Sequence, residues 1–200
     1  DVKTGKIKEC IVIKIENITY KINQATILNN MGNLLKKTND LKQAQTYYEE
    51  SLQIYRELSE QNPEVHKSGI AMTLNNLGIL LNNANEVRHA QTFYKEALQI
   101  YRELSRKNSE AHKPHLAITL NNLGSLLLDT HEYNQAQACY EEALEIWREL
   151  SEQNPEVYNP KVAMILNNLG NLLSSTNELR QAQAHLEEAI QIYRGLLGHN

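Results

Sequence analysis

Apolar residues recur along this chain at spacings of three and four, the period of a helix with one buried face. The clearest example begins with Leu28, Met31 and Leu35, and a second stretch of the same period runs over residues 41–58. Asn39 lies between the two stretches, and asparagine tolerates the left-handed conformation that ends many helices. The pattern therefore predicts two helices joined by a short turn.

This pair of predicted helices is repeated along the chain. The motif Leu-Asn-Asn-Leu-Gly begins at residues 28, 74, 120 and 166, always 46 residues apart, with Met31 replacing the second leucine in its first copy. A fixed period of this length indicates a repeat array, in which each repeat packs on its neighbours. The predicted repeats are residues 24–69, 70–115, 116–161 and 162–200. The last is expected to be truncated, without a capping helix, as in a fragment of a longer protein.

Residues 1–23 do not fit the repeat. Isoleucines at 7, 11, 15, 18 and 22 follow helical spacing, which favours a helix packing on the first repeat. Residues 11–15 also alternate weakly and are rich in β-branched side chains, as a strand would be. A degenerate tail of a preceding repeat or a poorly ordered terminus are further alternatives.

Glycine recurs inside the first predicted helix of every repeat, where it costs about 1 kcal/mol relative to alanine. Alanine follows twelve residues later, inside the second helix. We expect the two helices of a repeat to pack closely at this Gly–Ala pair. The pairs are Gly32 with Ala44, Gly78 with Ala90, Gly124 with Ala136, and Gly170 with Ala182.

Prolines suggest where the helices begin and end. The second helix is predicted to continue to about Gln61, and Pro63 and Pro155 are expected to mark the stop after it. Pro114 and Pro160 are expected at the start of the following first helices, where a missing N–H costs nothing.

These residues resemble the tetratricopeptide repeat. In the second repeat, the family's pattern is matched by Leu74, Leu77, Gly78, Leu81, Ala90, Tyr94 and Ala97. The period is 46 rather than the usual 34, leucine replaces the aromatic residue that usually heads the motif, and arginine replaces the closing proline. Long repeats of this kind are similar to those of kinesin light chain and of prokaryotic signalling proteins.

The resemblance implies an all-α fold, a right-handed α-solenoid or superhelix of antiparallel helix-turn-helix units. It implies a protein–protein interaction scaffold that binds a peptide or partner domain in a concave groove lined by the first helices. The alternative is a structural spacer, or a self-association or sensor arm of a larger signalling protein, with a homo-oligomer formed through exposed repeat ends.

A flank of the first helices, placed off the apolar face by a helix wheel, supplies the candidate groove residues. Asparagine both donates and accepts hydrogen bonds, so a ladder of asparagines could hold an extended peptide. The alternative is that they are solvated or tie adjacent helices together. The family's carboxylate clamp needs Lys or Arg at the positions of Asn29 and Asn33, which disfavours an acidic C-terminal tail as ligand. The candidates are Asn29, Asn33, Lys36, Asn75, Ile79, Asn82, Asn121, Ser125, Asn167 and Asn171.

Two further sets of residues have predicted structural roles. The second asparagine of each motif points most directly away from the core of its own repeat, which favours a hydrogen bond between repeats: Asn30, Asn76, Asn122 and Asn168. An aromatic residue followed by arginine recurs in the second helices, which favours packing with the arginine stems over the rings: Tyr55, Tyr101, Trp147 and Tyr193.

Composition excludes several function classes. A net charge of −4 gives no electrostatic reason to expect nucleic acid, which calls for a basic patch, and no apolar run approaches the length of a membrane span. His112 and His115 lack a third metal ligand, and no catalytic or phosphate-binding motif recurs. Two cysteines without paired spacing favour a cytoplasmic location. We therefore expect no enzyme activity, metal or cofactor.

Overall fold

A computed structural model describes the backbone of residues 2–198 and the side chains of residues 16–60, 62, 65–108 and 110–198. These residues form helices joined by short turns, with no strand in the described part of the chain. The helices are α1 (Val2–Lys37), α2 (Leu41–Gln61), α3 (Pro63–Asn83), α4 (Val87–Lys107), α5 (Ser109–Asp129), α6 (Tyr133–Gln153), α7 (Pro155–Ser175) and α8 (Leu179–Leu197).

The chain divides into two compact units, with the boundary between Phe93 and Tyr94 inside α4. In the first unit, α2 packs against α1 and α3. In the second unit, α6 packs against α5 and α7, and α7 packs in turn against α8. Within each unit, these neighbouring helices are antiparallel because only a few residues connect them. The odd-numbered helices are the first helices of the repeats, and the even-numbered helices are the second helices.

The predicted helix near the N-terminus is present, but it is not a separate element. α1 runs without a break from Val2 to Lys37, so the residues before the first repeat extend its first helix, and the strand alternative is wrong. Ile18 and Ile22 are half-buried, and Lys21 Nζ lies 2.9 Å from Glu57 Oε2 of α2. The side chains of Ile7, Ile11 and Ile15 lie outside the described residues.

The turn inside each repeat has the predicted left-handed residue. Asn39, Asn85, His131 and Asn177 have φ angles of 64°, 63°, 62° and 66°. The next N–H then bonds back to a carbonyl five residues earlier, as from Asp40 to Leu35 at 2.9 Å. This geometry is a Schellman ending, which satisfies carbonyls that the helix end would otherwise leave unpaired.

The turn between repeats is shorter than the turn inside a repeat. The sequence analysis placed two of the four prolines incorrectly. α2 ends at Gln61 as predicted, and α3 begins at Pro63. Pro114 and Pro160, however, are each the sixth residue of α5 and α7. The prediction was wrong because these first helices begin five residues before the proline, so each proline removes an N–H that would bond within the helix.

The nearest neighbour of the recurring glycine is a side chain that the sequence analysis did not pair with it; the predicted alanine is among the nearest neighbours in the fourth repeat, where the carbonyl oxygen of Ala182 lies 3.4 Å from the Cβ position of Gly170. A Cβ atom built on Gly32 would lie 2.6 Å from Cε1 of Tyr48, and one on Gly124 would lie 2.7 Å from Cε1 of Tyr140. The ring sixteen residues later in the chain therefore packs directly on the helix backbone. In the fourth repeat Leu186 takes this place, 2.7 Å from the equivalent Cβ position.

Substituting Gly124 by Ala should destabilise the chain by about 1–2 kcal/mol. Overpacking costs about 1–3 kcal/mol, and the better helix propensity of alanine offsets up to about 1 kcal/mol. Gly195→Ala is the matched control, because Gly195 lies in α8 with no atom within 4 Å of its Cβ position. That substitution should be neutral or stabilising. Urea unfolding measures both, and equal effects would contradict the ring contact.

Candidate functional site

The second asparagine of the motif joins first helices of consecutive repeats. Asn76 Nδ2 donates to Asn29 Oδ1 at 2.9 Å, and Asn168 Nδ2 donates to Asn121 Oδ1 at 2.7 Å. The predicted inter-repeat hydrogen bond is confirmed at these two junctions. Asn30, the equivalent residue of α1, is exposed.

The first asparagine of the motif accepts this bond. It is therefore more buried than the helix wheel predicted. Asn29 is only 1% exposed, and its Nδ2 also donates to Thr73 Oγ1 at 2.8 Å. The helix wheel put this residue off the apolar face, but α3 packs on that flank. Asn75 is also buried, and Asn121 is half-buried. Asn167 is exposed, so of the four equivalents it presents the most accessible amide.

The next candidate position, one turn further along the helix, is tied to the second helix of its own repeat. Tyr48 Oη donates to Asn33 Oδ1 at 2.8 Å, and Tyr140 Oη donates to Ser125 Oγ at 3.0 Å. Asn33 and Ser125 are half-buried as a result. In the fourth repeat, Leu186 stands at the tyrosine position and has no hydroxyl, and Asn171 is exposed.

The remaining candidates lie in the last two turns of α1 and α3. Lys36, Ile79 and Asn82 are all half-buried. Desolvation, with the neighbouring charge of Lys37 as the second cause, lowers the pKa of Lys36. The first compact unit therefore has one cation among the predicted groove residues, and the second has none.

The candidate residues thus form two separate sets. In the second unit, Asn121, Ser125, Asn167 and Asn171 lie on α5 and α7, which the Asn168–Asn121 bond joins; we call this surface the α5/α7 face. In the first unit the equivalent α1/α3 face carries Asn33, Lys36, Ile79 and Asn82, with Asn29 and Asn75 buried beneath it.

The aromatic column of the second helices is buried, as predicted, except at its end. Tyr55, Tyr101 and Trp147 are at most 6% exposed, whereas Tyr193 is 46% exposed. Tyr101 stacks on the ring of His115 with centroids 5.5 Å apart, so His115 is a packing residue.

Two of the arginines that follow these rings form ion pairs. Arg102 Nη2 lies 2.6 Å from Glu142 Oε2, and Arg148 Nη2 lies 2.6 Å from Glu188 Oε1. Each pair connects the second helices of consecutive repeats. The recurrence of Arg and Glu forty residues apart is visible in the sequence, but the sequence analysis did not use it.

An open groove beside α4 was also missed by the sequence analysis. Its volume is about 640 Å³, and its charged lining residues are Lys95, Arg102, Glu103 and Arg106. Cys139 lies at the same groove. Burial raises the pKa of the Cys139 thiol to about 11, so the thiol stays protonated and weakly nucleophilic at neutral pH.

Two further searches concern metals and membranes. Among the described residues, no three His, Cys, Asp or Glu side chains are grouped closely enough to hold a metal ion. No helix in the described part of the chain is both long and apolar enough to cross a bilayer.

Comparison with known families identifies the fold. The tetratricopeptide repeat model matches residues 23–103, 102–149 and 115–195, so the chain belongs to the tetratricopeptide repeat family. Its all-α solenoid class is that of the family. The family supports a general role in protein interaction and is generally non-catalytic. No curated protein matches this chain significantly.

Solved structures show the same fold at low identity. The chain is similar to BtubC (BKLC) from P. vanneervenii, with a TM-score of 0.76 and 21% identity, over 99% of this chain and 77% of BtubC. It is also similar to the apo form of RapI, with a TM-score of 0.71 and 16% identity, over 87% of this chain and 57% of RapI.

Replacing Asn29 with Ala should destabilise the chain by about 1–3 kcal/mol, because the partner groups on buried Thr73 and half-buried Asn76 lose their hydrogen bonds to it. Asn30→Ala is the control, since Asn30 is exposed; its effect should stay within about 0.5 kcal/mol. Urea unfolding of the two variants decides the point. Equal losses would mean that the buried asparagine bonds contribute nothing specific.

Alkaline pH should weaken the fold through Tyr48. Burial raises its pKa from 10 to about 12, so the folded chain keeps a proton that the unfolded chain releases. This contribution to stability is present below pH 10 and is lost as the pH rises through 12. Tyr48→Phe should therefore show a shallower fall in unfolding free energy over this range. An unchanged slope would place the Tyr48 hydroxyl in solvent.

Proposed function

We propose that this chain is an interaction scaffold whose α5/α7 face binds an extended segment of a partner protein. The observation that carries the proposal is the exposure of Asn167 and Asn171, one turn apart on α7, with Ser174 exposed a further turn along. Exposed amides in a row offer both donors and acceptors to a peptide backbone.

The spacing of these amides suits an extended peptide. Four residues of helix rise about 6 Å, and alternate residues of an extended strand are about 6.6 Å apart. Asn167 and Asn171 can therefore meet successive outward-facing peptide groups on one side of a strand. Backbone hydrogen bonds of this kind supply affinity with little dependence on the ligand's sequence.

The rest of the face favours a segment of low charge. The predicted groove residues of the second unit are neutral, and Ser125 and Asn121 are already engaged by Tyr140 and Asn168. Binding should then depend weakly on salt, because no charged pair between face and ligand is involved.

The test selects peptides on the full chain from a random library and measures their affinity by titration calorimetry. Asn167→Ala/Asn171→Ala should weaken binding about tenfold, since two hydrogen bonds of about 0.5–1.5 kcal/mol are removed. Asn134→Ala/Gln99→Ala changes two exposed residues of second helices and should leave the affinity unchanged.

Circular dichroism of both double variants shows that they are folded. The proposal fails if the selected peptides bind the α7 variant as well as the wild type. It also fails if the second-helix variant is the one that loses binding, because the peptides would then occupy the opposite side of the repeats.

A further inference from the structure

The open groove beside α4, which we call the α4 groove, has cations along one wall. Lys95, Arg102 and Arg106 line it from α4, and all three are exposed. Their spacings of seven and four residues are close to whole helical turns, so they lie on one side of the helix. The groove also contains Leu98 of α4 and Leu123 of α5, which are only 4% exposed and form an apolar floor. A charge beside an apolar floor interacts more strongly with a ligand than one surrounded by water.

This wall of cations faces α6. Arg102 Nη2 lies 2.6 Å from Glu142 Oε2 of that helix. The pKa of the Cys139 thiol, which lies at the groove, is raised by burial above all and then by the charge of Glu142. Lys95 and Arg102 act on it in the opposite sense, so both cations lie near the thiol. Glu103, the fourth charged lining residue, is half-buried. The exposed charged side chains that line the groove are therefore cations.

Two of these cations replace acidic residues of the other repeats. Arg102 has an arginine equivalent in every repeat, but Lys95 and Arg106 do not have basic equivalents. The residues at the position of Lys95 are Glu49, Glu141 and Glu187, and those at the position of Arg106 are Glu60, Glu152 and Gly198. The packing of a repeat therefore requires neither Lys95 nor Arg106. Because α4, α5 and α6 are internal helices of the array, the exposure of the groove does not depend on where the repeats stop.

The equivalent groove beside α6, which we call the α6 groove, shows what this replacement changes. Its volume is about 520 Å³. Its charged lining residues are Glu141, Glu145, Arg148, Glu149 and Glu152. The two grooves are built from equivalent positions of the second helix and differ in the sign of their charge. A ligand that discriminates between them must therefore do so by charge.

We propose that the α4 groove binds a short acidic segment of a partner protein, whose carboxylates pair with Lys95 and Arg106. These two residues are eleven positions apart on α4, a rise of about 16 Å. An extended segment of about five residues covers the same distance. Carboxylates on alternate residues of such a segment lie on one side of it and face the cations. Arg102 is already engaged by Glu142, so it adds positive charge to the groove without being the main partner of the ligand.

Charge complementarity also sets the length of the segment. A long polyanion that continued from the α4 groove across α6 would meet the glutamates of the α6 groove, and like charges repel it there. A short run of carboxylates avoids this repulsion. The site is independent of the α5/α7 face, because it lies on second helices and takes a charged ligand. Failure of either site to bind leaves the other untouched.

The experiment uses a short fluorescent peptide in which glutamate alternates with serine, and a matched peptide with glutamine in place of glutamate. Fluorescence anisotropy should show the full chain binding the glutamate peptide, more weakly as salt is added, since exposed charge pairs are screened. Lys95→Glu/Arg106→Glu should weaken binding about tenfold or more, because two ion pairs become two repulsions. Lys42→Glu/Arg180→Glu makes the same change in net charge at exposed residues outside the groove and should bind like the wild type.

A transplanted site gives the sharper result. Glu141→Lys/Glu145→Gln/Glu152→Arg gives the α6 groove the charged and polar residues of the α4 groove at three exposed positions. Titration calorimetry should then show two peptides bound per chain, where the wild type binds one. Circular dichroism shows that every variant is folded. A stoichiometry that stays at one would overturn the claim that these residues make the site.

Three other results would overturn the proposal. The first is equal binding of the glutamine and glutamate peptides, which would mean that carboxylates are not recognised. The second is an equal loss in the groove variant and in its charge-matched control, because net charge rather than the groove would then be responsible. The third is a single-stranded oligonucleotide that displaces the peptide and binds more tightly than it does, since the groove would then favour long polyanions over a short acidic segment.

Discussion

The closest contact inside a repeat, between a helix backbone and a ring, determines where the other residues of that repeat can lie. Tyr48 and Tyr140 pack on glycines of the first helix at distances that leave no room for a Cβ atom. The ring then extends past the glycine, and its hydroxyl meets Asn33 or Ser125 on the far side. The glycine thus sets how closely the two helices pack, and the tyrosine that packs on it also bonds a residue of the neighbouring surface.

The contact also explains why the fourth repeat differs. Leu186 fills the space above Gly170 as a tyrosine would, but it ends there, and Asn171 remains exposed. A change in the second helix therefore alters the chemistry of the first helix without any change in the first helix itself. The accessibility of the Asn171 amide depends on this substitution as much as on the residue itself.

The fold could be predicted from the sequence because its signals are local and repeated. The apolar period, the left-handed asparagines and the motif spacing each specify one helix or turn, and the structure has them where they were predicted. The Gly–Ala pairing missed the nearest contact because Ala44 and Tyr48 lie on the same face of α2, one turn apart, and spacing cannot tell which of them comes closest to the glycine. Pro114 and Pro160 were misplaced because the first helices are longer than their motif.

The candidate surface could be predicted only in part. A helix wheel describes one helix, and Asn29 is buried by another, so its burial follows from the position of α3. Asn76 was assigned correctly because it points away from its own repeat, where only a neighbour could reach it. Residues on the flank between two repeats are the ones that a single-helix pattern cannot assign.

The hydrogen bond from Asn76 to Asn29 and the one from Asn168 to Asn121 have a consequence for the history of the chain. Both junctions use the same atoms at nearly the same separation, so unequal recombination that removes or inserts one complete repeat recreates a junction of the same kind. Repeat number can then vary between related genes without new interface residues having to evolve. The packing between repeats would therefore place little constraint on the number of repeats.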